Sequence, residues 1–236
     1  MTPSGRPWIL AIDTATSEIV VAVGEPDGTW IDGSDEPALH RHAERLLPVI
    51  EALTERHGLD RAALAGIVVG TGPGAFTGLR VGLGTAKTLA HELGCPIVGI
   101  PSAAALLVAS VDEGALDAAE AARAVVLLPA GARDRVAVPA DGTPVLIGSG
   151  VESAFEGLGT QVAVDLAGRA PEDAVRRGAA AVRGLGRAML RMGALRLAAG
   201  APDDVARLVP EYVTLPRSAG AGSDPEGGVA WSRDPR

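Results

Sequence analysis

Trp8-Ile9-Leu10-Ala11-Ile12-Asp13-Thr14, the short break Ala15-Thr16-Ser17, and Glu18-Ile19-Val20-Val21-Ala22-Val23-Gly24 form the stretch on which the fold turns. Residues 8–14 are an apolar run of strand length, and residues 18–24 are rich in Val and Ile. Two such runs separated by three small residues predict a β-hairpin whose first strand ends on a carboxylate. A third strand at residues 29–32 would complete a meander.

Outward from the hairpin, residues 38–56 place Ala43, Leu46, Leu47, Ile50 and Leu53 at helical spacing, with Glu44, Arg45, Glu51 and Glu55 largely on the other faces. That is the pattern of an amphipathic helix. Residues 67–70 are a short apolar strand feeding the turn-rich segment Thr71-Gly72-Pro73-Gly74-Ala75-Phe76-Thr77. A helix over 78–93 and a strand at 97–100 follow, and strand, helix, strand in that order predicts a right-handed parallel crossover. Beyond residue 110 the patterning weakens to an alanine-rich helix at 115–124 and short strands at 125–128, 135–138 and 144–147. One or two helices are expected in 174–199, where Gly184, Gly186 and Gly193 interrupt. These elements predict an α/β protein with a first lobe over residues 1–108 and a smaller one over 109–215. A mobile tail rich in Gly, Ser, Pro and Asp is expected over 216–236.

Hydrophobic residues make up 47% of the 236 and charged residues 21%, a balance that excludes wholesale disorder. Aromatics are only 3%, so the core has to be built from closely packed Ala, Val, Leu and Ile. The sequence has no apolar run of membrane-spanning length and no secretory pattern at its start, so a cytoplasmic protein without membrane contact is expected. The single cysteine, Cys95, suits a buried thiol between a helix and a strand. The formal net charge is −8 and Lys87 is the lone lysine. A protein that grips nucleic acid unaided displays a basic face, because counterion release supplies much of the affinity, so any RNA is expected to be carried by a partner.

Asp13, Thr14 and Thr16 surround the hairpin turn. An aspartate there suits coordination of a metal-bound nucleotide while the turn offers hydroxyls and amides to phosphate; it equally suits capping of the turn by its own side chain. The glycine-rich loop at 70–78 sits between a strand and a helix, where backbone amides can hold an anion. It nevertheless matches neither the dinucleotide fingerprint nor the Gly-Lys-Ser/Thr template. In the helix that follows, Gly78, Gly82, Ala86 and Ala90 recur every fourth residue and line one face, with Leu79, Leu83, Leu89 and Leu93 beside them. Interior glycines disfavour a helix by about 1 kcal/mol each relative to alanine, so a close approach should offset them, either to the chain's own sheet or to another molecule. His40, His42, His57 and His91 include no pair four residues apart, and solvated or capping roles are expected for them.

Together with His42-Ala43-Glu44-Arg45-Leu46-Leu47-Pro48-Val49-Ile50 and Gly70-Thr71-Gly72-Pro73-Gly74-Ala75-Phe76-Thr77-Gly78-Leu79-Arg80-Val81-Gly82, the block at residues 9–16 resembles the signature blocks of the TsaB (YeaZ) family in order and spacing. The resemblance is continuous over residues 8–110. Further on, Leu208-Val209-Pro210-Glu211-Tyr212-Val213 is similar to the family's Pro-Val-Tyr-Leu-Arg block. Where the family usually reads Asp-Ala-Arg-Arg-Gly-Glu-Val-Tyr, this chain has Pro129-Ala130-Gly131-Ala132-Arg133-Asp134-Arg135-Val136 and lacks the Asp, the first Arg and the Tyr.

The resemblance implies an actin-like ATPase (ASKHA) fold of two RNase H-like lobes with mixed sheets flanked by helices. It also implies a non-catalytic scaffold for N6-threonylcarbamoyladenosine (t6A) formation in tRNA, binding the catalytic paralogue TsaD alongside TsaE, with ATP and metal held by the partner subunits. On that reading Asp13, Thr14 and Thr16 are a vestigial phosphate hairpin. The TsaD surface, which would also pair two copies when TsaD is absent, is expected to combine Leu46, Leu47, Ile50 and Leu53 with Gly78, Leu79, Gly82, Leu83, Ala86 and Ala90. The alternatives are a metal-dependent glycopeptidase-like enzyme and a phosphotransferase acting through Asp13.

Overall fold

The computed structural model describes residues 5–38, 41–130, 134–147 and 159–213. The expected mobile tail at 216–236, the helix start at Leu39 and His40, and residues 131–133 of the divergent block lie outside the described residues.

The chain opens with β1 (Trp8–Asp13), β2 (Glu18–Gly24) and β3 (Trp30–Pro37), the expected meander with a longer third strand. Then come α1 (His42–Arg56), β4 (Leu64–Gly72), α2 (Phe76–Leu93) and β5 (Ile97–Pro101). They build a five-stranded sheet of order β3-β2-β1-β4-β5, antiparallel through the meander and parallel from β1 to β4 to β5. The second half holds α3 (Ser102–Asp112), α4 (Ala118–Ala121), β6 (Val125–Ala130), β7 (Asp134–Pro139), β8 (Val145–Ile147), β9 (Gln161–Ala163) and α5 (Glu172–Ala198). Its strands form a second mixed sheet of order β8-β7-β6-β9.

Period-two alternation sorts the first sheet onto two cores. Trp8, Leu10, Ile12, Val21, Ile67 and Val69 face α1 and α2 in one cluster, which also takes in Leu46, Leu53, Leu83 and Cys95. Ile9, Ala11, Val20, Ala22, Val68 and Val98 face the other way, into a cluster with α3, α5 and the inner residues of the second sheet, Val126, Leu128, Val136 and Val162. The molecule is therefore layered as α1 and α2, first sheet, α3 and α5, second sheet. Because β1 is covered on both faces it reads as an unbroken apolar run rather than an alternation.

One expectation is corrected, and two elements are new. The helix expected at 115–124 is the single turn of α4, while α3 and β9 were not foreseen. Of α3's eleven residues, Ser102, Ala103, Ala105, Leu106, Leu107, Ala109 and Ser110 are buried, so no polar face marked it in the sequence. Of the one or two helices expected at 174–199 there is one, α5, whose glycines are points of contact rather than breaks. A methyl group on Gly178 would overlap the Ala163 carbonyl oxygen, on Gly184 it would crowd Ala109 of α3 and Glu113 just beyond it, on Gly186 it would crowd Ala22, and on Gly193 it would overlap Val68.

After α5 the chain returns to the first sheet, and α3 spans the expected lobe boundary at residue 108. Asp203 N donates to Ile97 O at 2.8 Å on the edge strand, and its carboxylate accepts from Gly99 N at 2.7 Å while pairing with Arg196 at 3.0 Å. Burial pulls the Asp203 carboxyl upward, but the Arg196 and Gly99 hydrogen bonds and the Arg196 charge outweigh it and leave it below the usual carboxylate range. Farther along, Lys87 Nζ donates to Leu208 O at 3.0 Å and Glu211 N to Thr71 O at 2.8 Å.

The glycines separate by environment. Gly178→Ala should destabilise the protein by about 1–3 kcal/mol through overpacking against β9. Gly84, exposed in α2 with nothing within 4 Å of an added methyl, should accept alanine with a gain approaching about 1 kcal/mol. Denaturation midpoints of the two variants, measured side by side, check both signs.

Candidate functional site

The β1–β2 turn lies at the end of β1, beside the loop that enters α2. Asp13 is 1% exposed there, and both of its oxygens are engaged by the chain itself. Ala15 N donates to Oδ1 at 2.8 Å and Ser102 Oγ to Oδ2 at 2.5 Å, while Ser102 Oγ accepts from Gly72 N at 3.1 Å. Gly70 is required at its place on β4, because a methyl there would overlap Asp13 Oδ2. Burial pushes the Asp13 carboxyl above its ordinary range, and the bonds from Ser102 and Ala15 offset that only in part.

Thr14 is sealed from the other side. Its Oγ1 donates to Gly78 O at 2.8 Å, and methyl groups at Gly78 and Gly82 would overlap Thr14 O and Thr14 Oγ1 respectively. Ala75 N donates to Ala15 O at 2.7 Å, and a methyl at Gly74 would overlap that same carbonyl. Thr16 Oγ1 accepts from Glu18 N at 3.2 Å, and its carbonyl lies 3.1 Å from His42 Nε2. His42 is buried, against the expectation of a solvated or capping histidine, because α1 begins directly over the turn. Asp13, Thr14 and Thr16 are thus brought together, but by packing that leaves none of their side chains facing solvent.

The small-residue stripe of α2 closes on this hairpin. Gly78, Leu79, Gly82, Leu83, Ala86 and Ala90 are all buried within the chain, and so are Leu46, Ile50 and Leu53 of α1. As side chains these nine are not presented to another molecule. Of the ten residues expected at a partner surface, Leu47 alone is exposed, at 54%. It stands over an apolar groove of about 420 Å³ between α1 and α2, lined by Trp8, Leu47, Ile50, Glu51, Leu89 and Leu93, with Leu93 39% exposed. The helix pattern pointed to these elements but not to which side of α2 stays open; Gly84, on the exposed side, falls outside the four-residue stripe.

One further cluster links the C-terminal block to the glycine-rich loop. Arg80 stacks 4.0 Å from the Phe76 ring centre and donates from Nε to Tyr212 Oη at 3.0 Å, with the Phe76 and Tyr212 rings 5.0 Å apart. Among the described residues no group of three His, Cys, Asp or Glu side chains is placed to hold a metal ion, and no helix is long and apolar enough to cross a membrane.

Fold and turn together define the class: a two-sheet α/β protein in which the β1–β2 turn is filled by its own chain. Its overall likeness is to YeaZ from Pseudomonas aeruginosa, with a TM-score of 0.61 over 88% of this chain and 100% of that one at 23% identity, which establishes the fold. The family profile described as TsaD, tRNA N6-adenosine threonylcarbamoyltransferase, matches residues 36–189, and the chain belongs to this family.

Its TsaB/YeaZ kinship shows in individual relatives. The Escherichia coli tRNA threonylcarbamoyladenosine biosynthesis protein TsaB is 37% identical over 92 residues, 39% of each chain. The Bacillus subtilis protein of the same name is 36% identical over 94 residues, 40% of this chain and 41% of that one. An uncharacterized protein of Mycobacterium tuberculosis is 40% identical over 95 residues, 40% of this chain and 45% of its own. The matched stretches thus span less than half the length of these curated relatives.

Two outcomes follow from the sealed turn. Gly82→Leu should destabilise the isolated chain, on the order of 3 kcal/mol or more, because the new side chain has to displace Thr14; thermal melting checks this. Asp13, raised in the folded state, binds a proton more tightly there than in the unfolded chain. Its contribution to stability is therefore fullest below the unfolded pKa and declines as pH rises through the folded value. Asp13→Asn should remove that decline, so the difference in urea midpoint between the two proteins should change between acidic and neutral pH. A difference independent of pH would contradict the raised carboxyl.

Proposed function

We propose that this chain is a non-catalytic subunit of the machinery that forms t6A in tRNA, acting by binding a TsaD homologue. The observation that carries the reading is the buried Asp13–Ser102 pair, which ties the turn to α3, within a hairpin whose Thr14 hydroxyl is bonded to α2 and whose Thr16 carbonyl lies against His42 of α1. A turn so filled has no open carboxylate with which to hold a metal-bound nucleotide. The names carried by the TsaB relatives and the family profile supply the pathway.

On this reading ATP and metal belong to the partner subunits, TsaD and a TsaE homologue. The tRNA is reached through the assembled complex, since a chain of net charge −8 offers little counterion release of its own. The location is cytoplasmic. We place the TsaD contact on the outer side of α1 and α2, around Leu47, Leu93 and the open position at Gly84, and the same surface pairs two copies when TsaD is absent. Apolar side chains at the rim of a groove are what a partner helix buries. The nine buried residues contribute by fixing the spacing of the two helices.

The test begins with affinity purification of the tagged chain from its native host, where the TsaD homologue should be recovered. Leu47→Glu should then weaken TsaD binding tenfold or more, equivalent to about 1.4 kcal/mol, with melting unchanged. Peptidase activity or ATP turnover by the pure chain, or recovery without TsaD, would overturn the proposal. Retained binding by Leu47→Glu would move the contact elsewhere on the molecule.

A further inference from the structure

Away from α1 and α2, one end of the first sheet faces the β9–α5 connection and α5 across a cleft of about 430 Å³. One wall is the start of β2 and the end of β3, with Glu18, Asp35 and Pro37; the other is the end of β9 and the first half of α5, with Asp165, Val175 and Arg183. Each wall is fixed from behind. Thr14 and Ala15 are held against α2 and its entry loop, and Gly178 of α5 sits directly on the Ala163 carbonyl. The second half of α5 is fixed as well, with Gly186 against Ala22 and Gly193 against Val68. The first half lines the cleft with Val175, Ala179 and Val182 while its other side packs on β9 at Gly178 and on α3 at Gly184.

A direct polar bridge spans the gap. Ser17 N donates to Asp165 Oδ2 at 2.6 Å, and Ser17 Oγ donates to Asp165 Oδ1 at 2.5 Å. Ser17 and Asp165 lie 148 residues apart in the chain. Two circumstances oppose the bridge. Asp165 has φ of 57°, the one positive value at a non-glycine position among the described residues, and L-residues adopt that conformation at a cost even where Asp tolerates it best. Its carboxylate also stands among others. The Glu18 carboxyl is pushed up by burial first and then by the charges of Asp165, Asp35 and Glu36. On the favourable side, Arg169 Nη2 donates to the Asp165 backbone oxygen at 3.0 Å, which steadies the loop but does not cross the cleft. Arg183, on the same wall, is drawn toward Glu113, with its Nε 4.0 Å away.

We propose that the Ser17–Asp165 pair is a breakable clasp across the cleft, in which two donors on the β1–β2 turn hold a carboxylate against its own backbone conformation and against the carboxylates around it. Opening the clasp frees the β9–α5 connection and the first half of α5 from the β1–β2 turn, while the second half of α5 stays packed on the first sheet. Nothing in this inference depends on the function proposed above, because it concerns only contacts within the chain.

Amide hydrogen exchange on the full chain tests it. Asp165→Ala should speed exchange about tenfold at Ser17, the scale set by loss of charge-assisted hydrogen bonds, and should also speed it at residues 164–169 on the facing wall. Glu18→Gln, which removes one repelling charge without touching either partner, should slow exchange at both places. Faster exchange at Ser17 alone, with 164–169 unchanged, would reduce the pair to a local hydrogen bond and overturn the clasp; so would faster exchange in Glu18→Gln. Should Asp165→Ala fail to fold, Ser17→Ala keeps the N–H and loses one of the two bonds, and exchange at 164–169 equal to that of the parent protein would be equally fatal.

Discussion

Everything in this molecule is arranged around a helix that has to lie between two sheets. α5 touches β9 through Gly178, α3 through Gly184, β2 through Gly186 and β4 through Gly193, and at the β9 and β4 contacts a single methyl group would overlap the neighbour. The close approach lets a chain with only 3% aromatic residues fill its centre with Ala, Val, Leu and Met, because small side chains reach across only if the backbones come near. Four interior glycines weaken the isolated helix, and the burial of Leu185, Met189 and Leu190 offsets that loss. The helix is a product of tertiary packing far more than of local propensity.

The same physics decides what the sequence discloses. β1, β2, α1 and α2 were legible because each leaves a pattern: an apolar run of strand length, or apolar residues recurring at helical spacing beside a charged face. α3 leaves none, since its residues are apolar nearly all round and resemble a strand as readily as a helix. β9 has three residues, too few to carry an alternation. In α5 the glycines read as punctuation, and only knowledge of what lies opposite each one turns them into contacts.

At the β1–β2 turn the position of Asp13 was visible but its circumstances were not. Ser102, which caps its carboxylate, is 89 residues away, and Gly70, which makes room for it, sits on a different strand. The glycine-and-alanine stripe of α2 announced a close approach and left its object open; the object is the chain's own hairpin, at Thr14. The turn's polar groups are bonded to neighbouring helices, and on the outer side of α1 and α2 Leu47 and Leu93 are exposed.

The layering also sets a timetable for synthesis. The inner residues of the first sheet, Ile9, Val20, Val68 and Val98, are all made before Ile100, yet their main cover, α5, runs from Glu172 to Ala198. At the ribosome's pace of about 5–20 residues per second, the strands wait roughly 5–20 seconds for that helix, with α3 and the second-sheet residues of the same cluster made in the interval. Such long-range closure slows folding and leaves an apolar sheet face open on the nascent chain. The inner face of the first sheet is therefore closed only late in synthesis, when α5 packs against it.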